Sequence, residues 1–209
     1  KRTVGGDTVS IKVTGANAAT PTVTDNKNGT YTARYYPFYT GNDSVVITLN
    51  GVALGGSPYT SVVGAGASSA AQSVATVPPG QTSLPTTIVV QARDGIGNNR
   101  TTGGDTVVVR VTGANTVTPA VTDNGNGTYT AVYTPANGGV DTVAITLAGT
   151  AIKNSPYTSL VCTGPTDAAH STADVPAGKA GSWTTLTVQA RDADGNQRGW
   201  GGDTVSIKV

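Results

Sequence analysis

Gly5-Gly6-Asp7-Thr8-Val9 returns as Gly103-Gly104-Asp105-Thr106-Val107 and again as Gly201-Gly202-Asp203-Thr204-Val205, each copy 98 residues after the last. The register holds through the intervening chain. Asp25 and Asp123 open the run Asp-Asn-x-Asn-Gly-Thr-Tyr-Thr-Ala, Ser57-Pro58-Tyr59 matches Ser155-Pro156-Tyr157, and Gln91-Ala92-Arg93-Asp94 matches Gln189-Ala190-Arg191-Asp192. This is tandem duplication. A 98-residue period is longer than the roughly 20–50 residues of a solenoid unit and suits a self-contained sandwich domain.

Within each period apolar and polar residues alternate. Val9, Ile11 and Val13 stand against Thr8, Ser10 and Lys12, and Val107, Val109 and Val111 recur against Thr106, Val108 and Arg110. The same rhythm runs through Tyr31, Ala33 and Tyr35, through Val45, Ile47 and Leu49, and through Leu186, Val188 and Ala190. A period of two is a half-buried strand. Asn28-Gly29 and Asn126-Gly127 predict tight hairpins, because Asn and Gly accept positive φ, and Asp94–Asn98 and Asp192–Asn196 mark further loops. The pattern predicts seven short strands per period in an antiparallel two-sheet sandwich. Val107, Val109, Tyr129, Tyr133, Ile145 and Leu147 are the expected core, each worth about 1.5–3 kcal/mol when buried.

Composition narrows the class of function. The chain has 209 residues, 13 Lys plus Arg against 12 acids, and a formal charge of +1. That balance gives no electrostatic footprint for nucleic acid or an anionic membrane. No apolar run is long enough for a membrane-spanning helix. All 12 acids are aspartate, Thr reaches 36 residues and Gly 28, which favours strands and turns over helices. One cysteine excludes an intrachain disulfide, and methionine is absent, so the segment reads as part of something longer.

The elements Gln91–Arg100 and Gln189–Arg198, the Gly-Gly-Asp-Thr-Val motif, the run Asp123–Pro135 and the closing Ile152-Lys153-Asn154-Ser155-Pro156-Tyr157 resemble the filamin-type immunoglobulin-like repeat. The resemblance covers the whole period and implies an all-β fold of tandem sandwiches. It also implies a groove beside strands C and D where partner peptides add as an extra strand. The matching positions are Thr106–Thr112 and Pro119–Asp123, with Thr106, Val108 and Arg110 on the solvent side. In the family's strand order, residues 64–161 form one complete domain, residues 1–63 hold strands C to G of a preceding unit, and residues 162–209 hold A to C of a following one. A part-sandwich leaves apolar faces wet and edges unpaired. Each end is therefore expected to be completed by a neighbouring repeat of the same polypeptide or, head-to-tail, by another subunit.

Candidate chemistry is sparse. His170 and Cys162 correspond to Gln72 and Gly64 one period earlier, so the fold does not require them, and their surroundings suggest no third catalytic partner. Asp192-Ala193-Asp194-Gly195-Asn196 clusters oxygen donors, but its counterpart carries Ile96 in place of the second carboxylate. Asp and Asn bonding their own turns is the expectation, with no metal and no cofactor. Four N-x-Ser/Thr sequons, at Asn28, Asn42, Asn99 and Asn126, are candidate glycosylation sites. Lys12 and Lys208 are expected to point outward, away from any isopeptide chemistry. Trp183 and Trp200 correspond to Pro85 and Thr102, so no array-wide aromatic platform for sugars is expected, and loop or edge packing is their simpler role.

Together these features predict a non-enzymatic structural repeat of an extracellular filament or surface adhesin stalk, at the cell surface, whose partners are neighbouring copies. The alternative is a cytoplasmic filamin-like rod that binds peptides at its C–D face.

Overall fold

The computed structural model describes residues 4–198 and 202–208, and among these every regular element is a strand. None is a helix long and apolar enough to cross a membrane. The chain divides into two compact units: Lys1–Ala67 with Arg93–Asn99, and Ser68–Ala92 with Arg100–Val209.

In the first unit β1 (Val9–Gly15) pairs antiparallel with β4 (Gly41–Leu49), which also carries β5 (Val52–Ala53) and β6 (Tyr59–Val63). A separate ribbon joins β2 (Val23–Asp25) to β3 (Tyr31–Ala33).

The second unit closes a sandwich. Its strands are β7 (Val74–Thr76), β8 (Gly80–Gln81), β9 (Thr86–Gln91), β10 (Val107–Gly113), β11 (Val121–Asp123), β12 (Thr128–Tyr133), β13 (Gly139–Leu147), β14 (Thr150–Ala151) and β15 (Tyr157–Cys162). One sheet runs β10-β13-β15-β8, with β14 on β13, and the other β11-β12-β9-β7. A two-stranded ribbon, β16 (Thr172–Asp174) with β17 (Thr187–Gln189), follows. Alternation places Ile88 and Val90 of one sheet against Val107, Val109, Val111, Val143 and Ile145 of the other, in a core that also takes Tyr129, Tyr133 and Leu147. All six expected core residues are buried.

Two features go beyond the sequence reading. The first edge strand is split, so that β7 pairs β9 in one sheet while β8 pairs β15 in the other, in parallel. Pro78 and Pro79 lie between them; lacking N–H groups, they interrupt the first ladder and let the chain cross over. The Asn-Gly turns also differ from the tight form expected. The loop between β2 and β3 has positive φ at Lys27 and Gly29, and its counterpart has it at Gly125 and Gly127. Asn28 instead accepts the Thr30 N–H at 3.1 Å and its hydroxyl at 2.6 Å. The turn is built around a carboxylate: Asp25 Oδ1 accepts the Lys27 N–H, and Asp123 Oδ1 accepts that of Gly125, both at 2.8 Å.

The same aspartates explain why the two longest repeated motifs travel together. Asp123 Oδ2 accepts the Gly104 N–H at 2.7 Å, and a Cβ on Gly103 would lie 2.1 Å from that carboxylate. The Tyr129 hydroxyl accepts the Asp105 N–H at 2.9 Å and donates to the Asp105 carboxylate at 3.0 Å. Gly6 with Asp25 and Asp7 with Tyr31 repeat the backbone contacts in the first unit.

Each unit also buries a carboxylate. Asp141 accepts the Asn115 N–H at 2.8 Å, the Asn115 side-chain amide at 3.0 Å and the Tyr133 hydroxyl at 3.1 Å. Asp43 does the same with Asn17 and Tyr35. These contacts offset the cost of desolvating the charge.

Ile145 is fully buried, whereas its repeat counterpart Ile47 is only partly so. Ile145→Ala is expected to cost the second unit about 2–5 kcal/mol in urea unfolding, and Ile47→Ala distinctly less in the first.

Candidate functional site: the aspartate loop at the linker

Nothing in the described chain converges as a catalytic site does. What recurs in both repeats is a buried carboxylate holding a linker. In the first unit, the Oδ1 of Asp94 accepts the backbone N–H groups of Ile96, Gly97 and Asn98 at 3.0, 2.9 and 2.9 Å, closing its own turn. Its Oδ2 accepts the Gly66 N–H and the Asn98 amide, both at 3.0 Å. Asn98 donates onward to the Phe38 carbonyl at 2.8 Å. The carboxylate thus ties the residues after β6 to the Asp94–Asn98 loop.

One period later Asp192 repeats the arrangement within the second unit. Its Oδ1 accepts the N–H groups of Asp194 and Asn196 at 3.0 and 2.8 Å. Its Oδ2 accepts the Gly164 N–H at 3.1 Å, the Asn196 amide at 3.2 Å and the Thr82 hydroxyl at 3.0 Å. Two more contacts reinforce it: the Ser83 hydroxyl donates to Asp194, and an Arg198 guanidinium nitrogen donates to the Gly164 carbonyl at 2.8 Å. The Asp and Asn oxygens that resemble a cation site in the sequence are largely engaged with their own turn and linker.

Electrostatics follows from this count of donors. Burial alone raises the Asp192 carboxyl, but hydrogen bonds from the Asn196 side chain and backbone, the Thr82 hydroxyl and the Gly164 amide outweigh it and lower the pKa from 3.8 to about 2. For Asp94, burial is likewise outweighed by Asn98, Gly66 and Ile96, which hold its carboxyl far below the usual range.

The other residues singled out from the sequence lie apart. Asn28, Asn42, Asn99 and Asn126 are all exposed. Asn126 makes the same turn contacts to Thr128 as Asn28 makes to Thr30, and Asn99 accepts from the Arg93 guanidinium at 3.0 Å. Thr106, just before β10, and Val108 and Arg110 on it are exposed, and β10 pairs with β13 alone among the named strands and so forms a sheet edge. Lys12 and Lys208 point to solvent. His170 Nδ1 lies 2.8 Å from Asp167, and Cys162 is a half-buried free thiol ending β15. Trp183, expected to pack at a loop or edge, is instead fully exposed, while Trp200 lies outside the described residues.

The sequence located the loop but not its task. Asp94 and Asn98, with Gly66 before them, recur as Asp192, Asn196 and Gly164, and that shared spacing is the signal that was available. Thr82 and Ser83 gave none, because their partners lie 110 and 111 residues away.

A sandwich with a split first strand, in a sequence that repeats every 98 residues and is tied at its linkers by carboxylates, defines the class as a tandem immunoglobulin-like structural protein. Residues 1–60 and 64–158 match the Filamin/ABP280 repeat, and the chain belongs to that family of non-enzymatic structural domains. It is 31% identical over 167 residues to filamin-C of Rattus norvegicus, covering 75% of this chain and 6% of that protein. Among solved structures, it is similar to the Escherichia coli adhesin FdeC, with 26% identity and a TM-score of 0.62 over 93% of this chain and 65% of the other. Yersinia pseudotuberculosis InvD shares the fold at 22% identity and a TM-score of 0.58, over 93% of this chain and 62% of that one. The chain thus spans a small part of the curated relative and just under two thirds of each of these two structures.

Because the folded Asp192 titrates below its unfolded value, its contribution to stability is complete above about pH 4 and is lost as the pH falls toward about 2. Protection of the Gly164 amide against hydrogen exchange is expected to fall across that window. Asp192→Asn should flatten the response and lower protection at neutral pH by about 1–3 kcal/mol, since a buried donor loses its acceptor.

Proposed function

We propose that the chain is a run of structural repeats from the stalk of a cell-surface adhesin, in which a complete sandwich bead, residues 64–161, stands between parts of two others, residues 1–63 and 162–209, and the array holds a distal part of the molecule away from the cell. The observation that carries this reading is the repeated carboxylate-held linker, Asp94 with Gly66 and Asp192 with Gly164. Such a tie restrains each linker through hydrogen bonds to a carboxylate and returns at a fixed interval, which suits a spacer. The likeness to FdeC supports the surface location. A net charge of only +1 and a single cysteine agree with it.

The beads are completed by neighbouring repeats, in the same polypeptide or head-to-tail in another subunit. In the first unit Val9, Ile11, Tyr31, Ile47 and Leu49 line an open apolar hollow of about 360 Å³. Their counterparts in the second unit are buried, where β9 covers them. The natural cover is therefore a strand equivalent to β9. In a secreted, glycosylating host, Asn28, Asn42, Asn99 and Asn126 are exposed acceptors on the outside of such a stalk, readable as mass increments on their tryptic peptides.

A second reading keeps the family's peptide-binding mode. Val111 exchanges backbone hydrogen bonds with Val117 at 2.8 and 3.1 Å, on the side of β10 away from β13. By the two-residue period the backbone groups of Val107 and Val109 face the same way, leaving an edge beside Val108 and Arg110 that an added strand could pair. A cytoplasmic rod would use that edge.

Two measurements separate these readings. Protease shaving of intact cells should release peptides of this chain; recovery from the cytosol alone would overturn the stalk. Prefixing a copy of residues 64–98, which enters in register, should bury the first unit's hollow. Its melting temperature should rise by about 10 °C or more, at about 4–8 °C per kcal/mol, and an unchanged melt would refute completion by β9-like strands.

A further inference from the structure

The turn that follows β8 meets the next repeat. Thr82 and Ser83 belong to the bead of residues 64–161 and Asp192–Asn196 to its successor, and the two hydroxyls donate to Asp192 and Asp194. The Thr82 hydroxyl also accepts the Gly164 N–H at 3.2 Å, while the Thr82 N–H donates to the Cys162 carbonyl at 3.0 Å. One bead's edge strand, the linker and the next bead's loop therefore converge on a single hydroxyl. Thr82 and Asp192 are 3% and 1% exposed there. A hydrogen bond to a carboxylate shielded from water is a strong polar contact for a joint.

The loop owes its shape to its own turn. Asp94 closes Asp94–Asn98 in the same way in the bead whose sandwich is complete, with Oδ1 on the N–H groups of Ile96, Gly97 and Asn98 and Oδ2 on Gly66. The hydroxyls, in turn, come from that complete bead. The contact is thus built from parts that the closed sandwich keeps.

Divergence between the repeats falls on this contact. One period after Thr82 and Ser83 stand Ala180 and Gly181, and one period before Asp194 stands Ile96. The backbone turn is shared: the Leu84 N–H donates to the Gln81 carbonyl at 3.2 Å and the Ser182 N–H to the Lys179 carbonyl at 3.1 Å. Ser83 holds φ at 62° and Gly181 at 78°. Glycine takes that left-handed conformation freely, whereas it is unfavourable for a residue with a Cβ. Serine at this position therefore brings the turn nothing but its hydroxyl. Likewise the turn at 192–196 is closed by the Asp192 carboxylate, and isoleucine serves in place of Asp194 in the earlier loop. Ser83 and Asp194 occur together where they meet, and neither is required by the fold of its own repeat.

We propose that Thr82 and Ser83 form a docking site for the aspartate loop of the following repeat, selective for aspartate over isoleucine at position 194, and that this pairing fixes the joint between the two beads. An isoleucine there leaves the Ser83 hydroxyl without its acceptor, and alanine and glycine at 82 and 83 take these donors from Asp192 and Asp194. The pairing is independent of whether the array is a surface stalk or a cytoplasmic rod.

The test uses the whole chain followed by a copy of residues 112–161, which continues in register after Val209 and supplies the later strands of the last bead. Spin labels at Val132→Cys and Thr187→Cys, both exposed positions, in a Cys162→Ser background report the distance between the beads. The parent should give one narrow distribution. Thr82→Ala with Ser83→Gly should at least double its width and speed hydrogen exchange of the Gly164 amide about tenfold or more. Asp194→Ile should also broaden the distribution, and Thr82→Ser should leave width and exchange as in the parent. The Ala-Gly and Ile replacements copy residues that the repeats already use at the equivalent positions, so the circular dichroism spectrum should be retained. A parent distribution as broad as that of the Ala-Gly variant, or an unchanged width on Asp194→Ile, would overturn the proposal.

Discussion

A β-sandwich is stable only where both sheets cover the same apolar layer, and this chain exhibits that constraint by internal comparison. Leu147 is 3% exposed and Leu49, its repeat counterpart, 36%, although both pair in the same register with the strand carrying the Gly-Gly-Asp-Thr-Val motif. The difference is β9. Where Ile88 and Val90 lie across the layer, the valines of β10 and the isoleucine and leucine of β13 lose water; where no such strand lies, the same pattern stays half wet. Burial at about 25 cal/mol per Å² of apolar surface then separates the two environments. Secondary structure alone does not distinguish them.

Polar chemistry fixes the geometry that burial leaves loose. Four kinds of aspartate do this. Asp123 and Asp25 build the hairpin loop and seize the glycine motif, Asp105 engages Tyr129, Asp141 and Asp43 sit inside the sheets on Asn and Tyr donors, and Asp94 and Asp192 hold the linkers. A carboxylate accepts several hydrogen bonds at once, and its shorter aspartate form reaches N–H groups two to four residues away. This gives a physical use for a chain whose acids are all aspartate. Each contact is charge-assisted and strong for its size.

Against this common frame, the repeats vary at outward positions. Tyr36, Phe38 and Tyr39 give way to Thr134, Ala136 and Asn137, and Ile96 to Asp194, without a change in register. A scaffold held by buried valines and aspartates tolerates such exchange, because the exchanged side chains carry little of its stability.

The 98-residue period and the alternation of Val107, Val109 and Val111 were determined by the sequence itself, because repetition and a two-residue period are local and survive without a third dimension. The loop Asp192–Asn196 was visible as a cluster of oxygens, and turn-bonding was its expected role. Only the tertiary structure decided that Oδ2 reaches back to Gly164 and Thr82, that β8 leaves one sheet for the other, and that Asn28 bends its turn through Thr30 rather than by positive φ. It also decided which rings face solvent, since an aromatic beside a strand reads in sequence as core. These are matters of distant approach: hydrogen bonds that span a hundred residues, and coverage by a strand that the local pattern does not name.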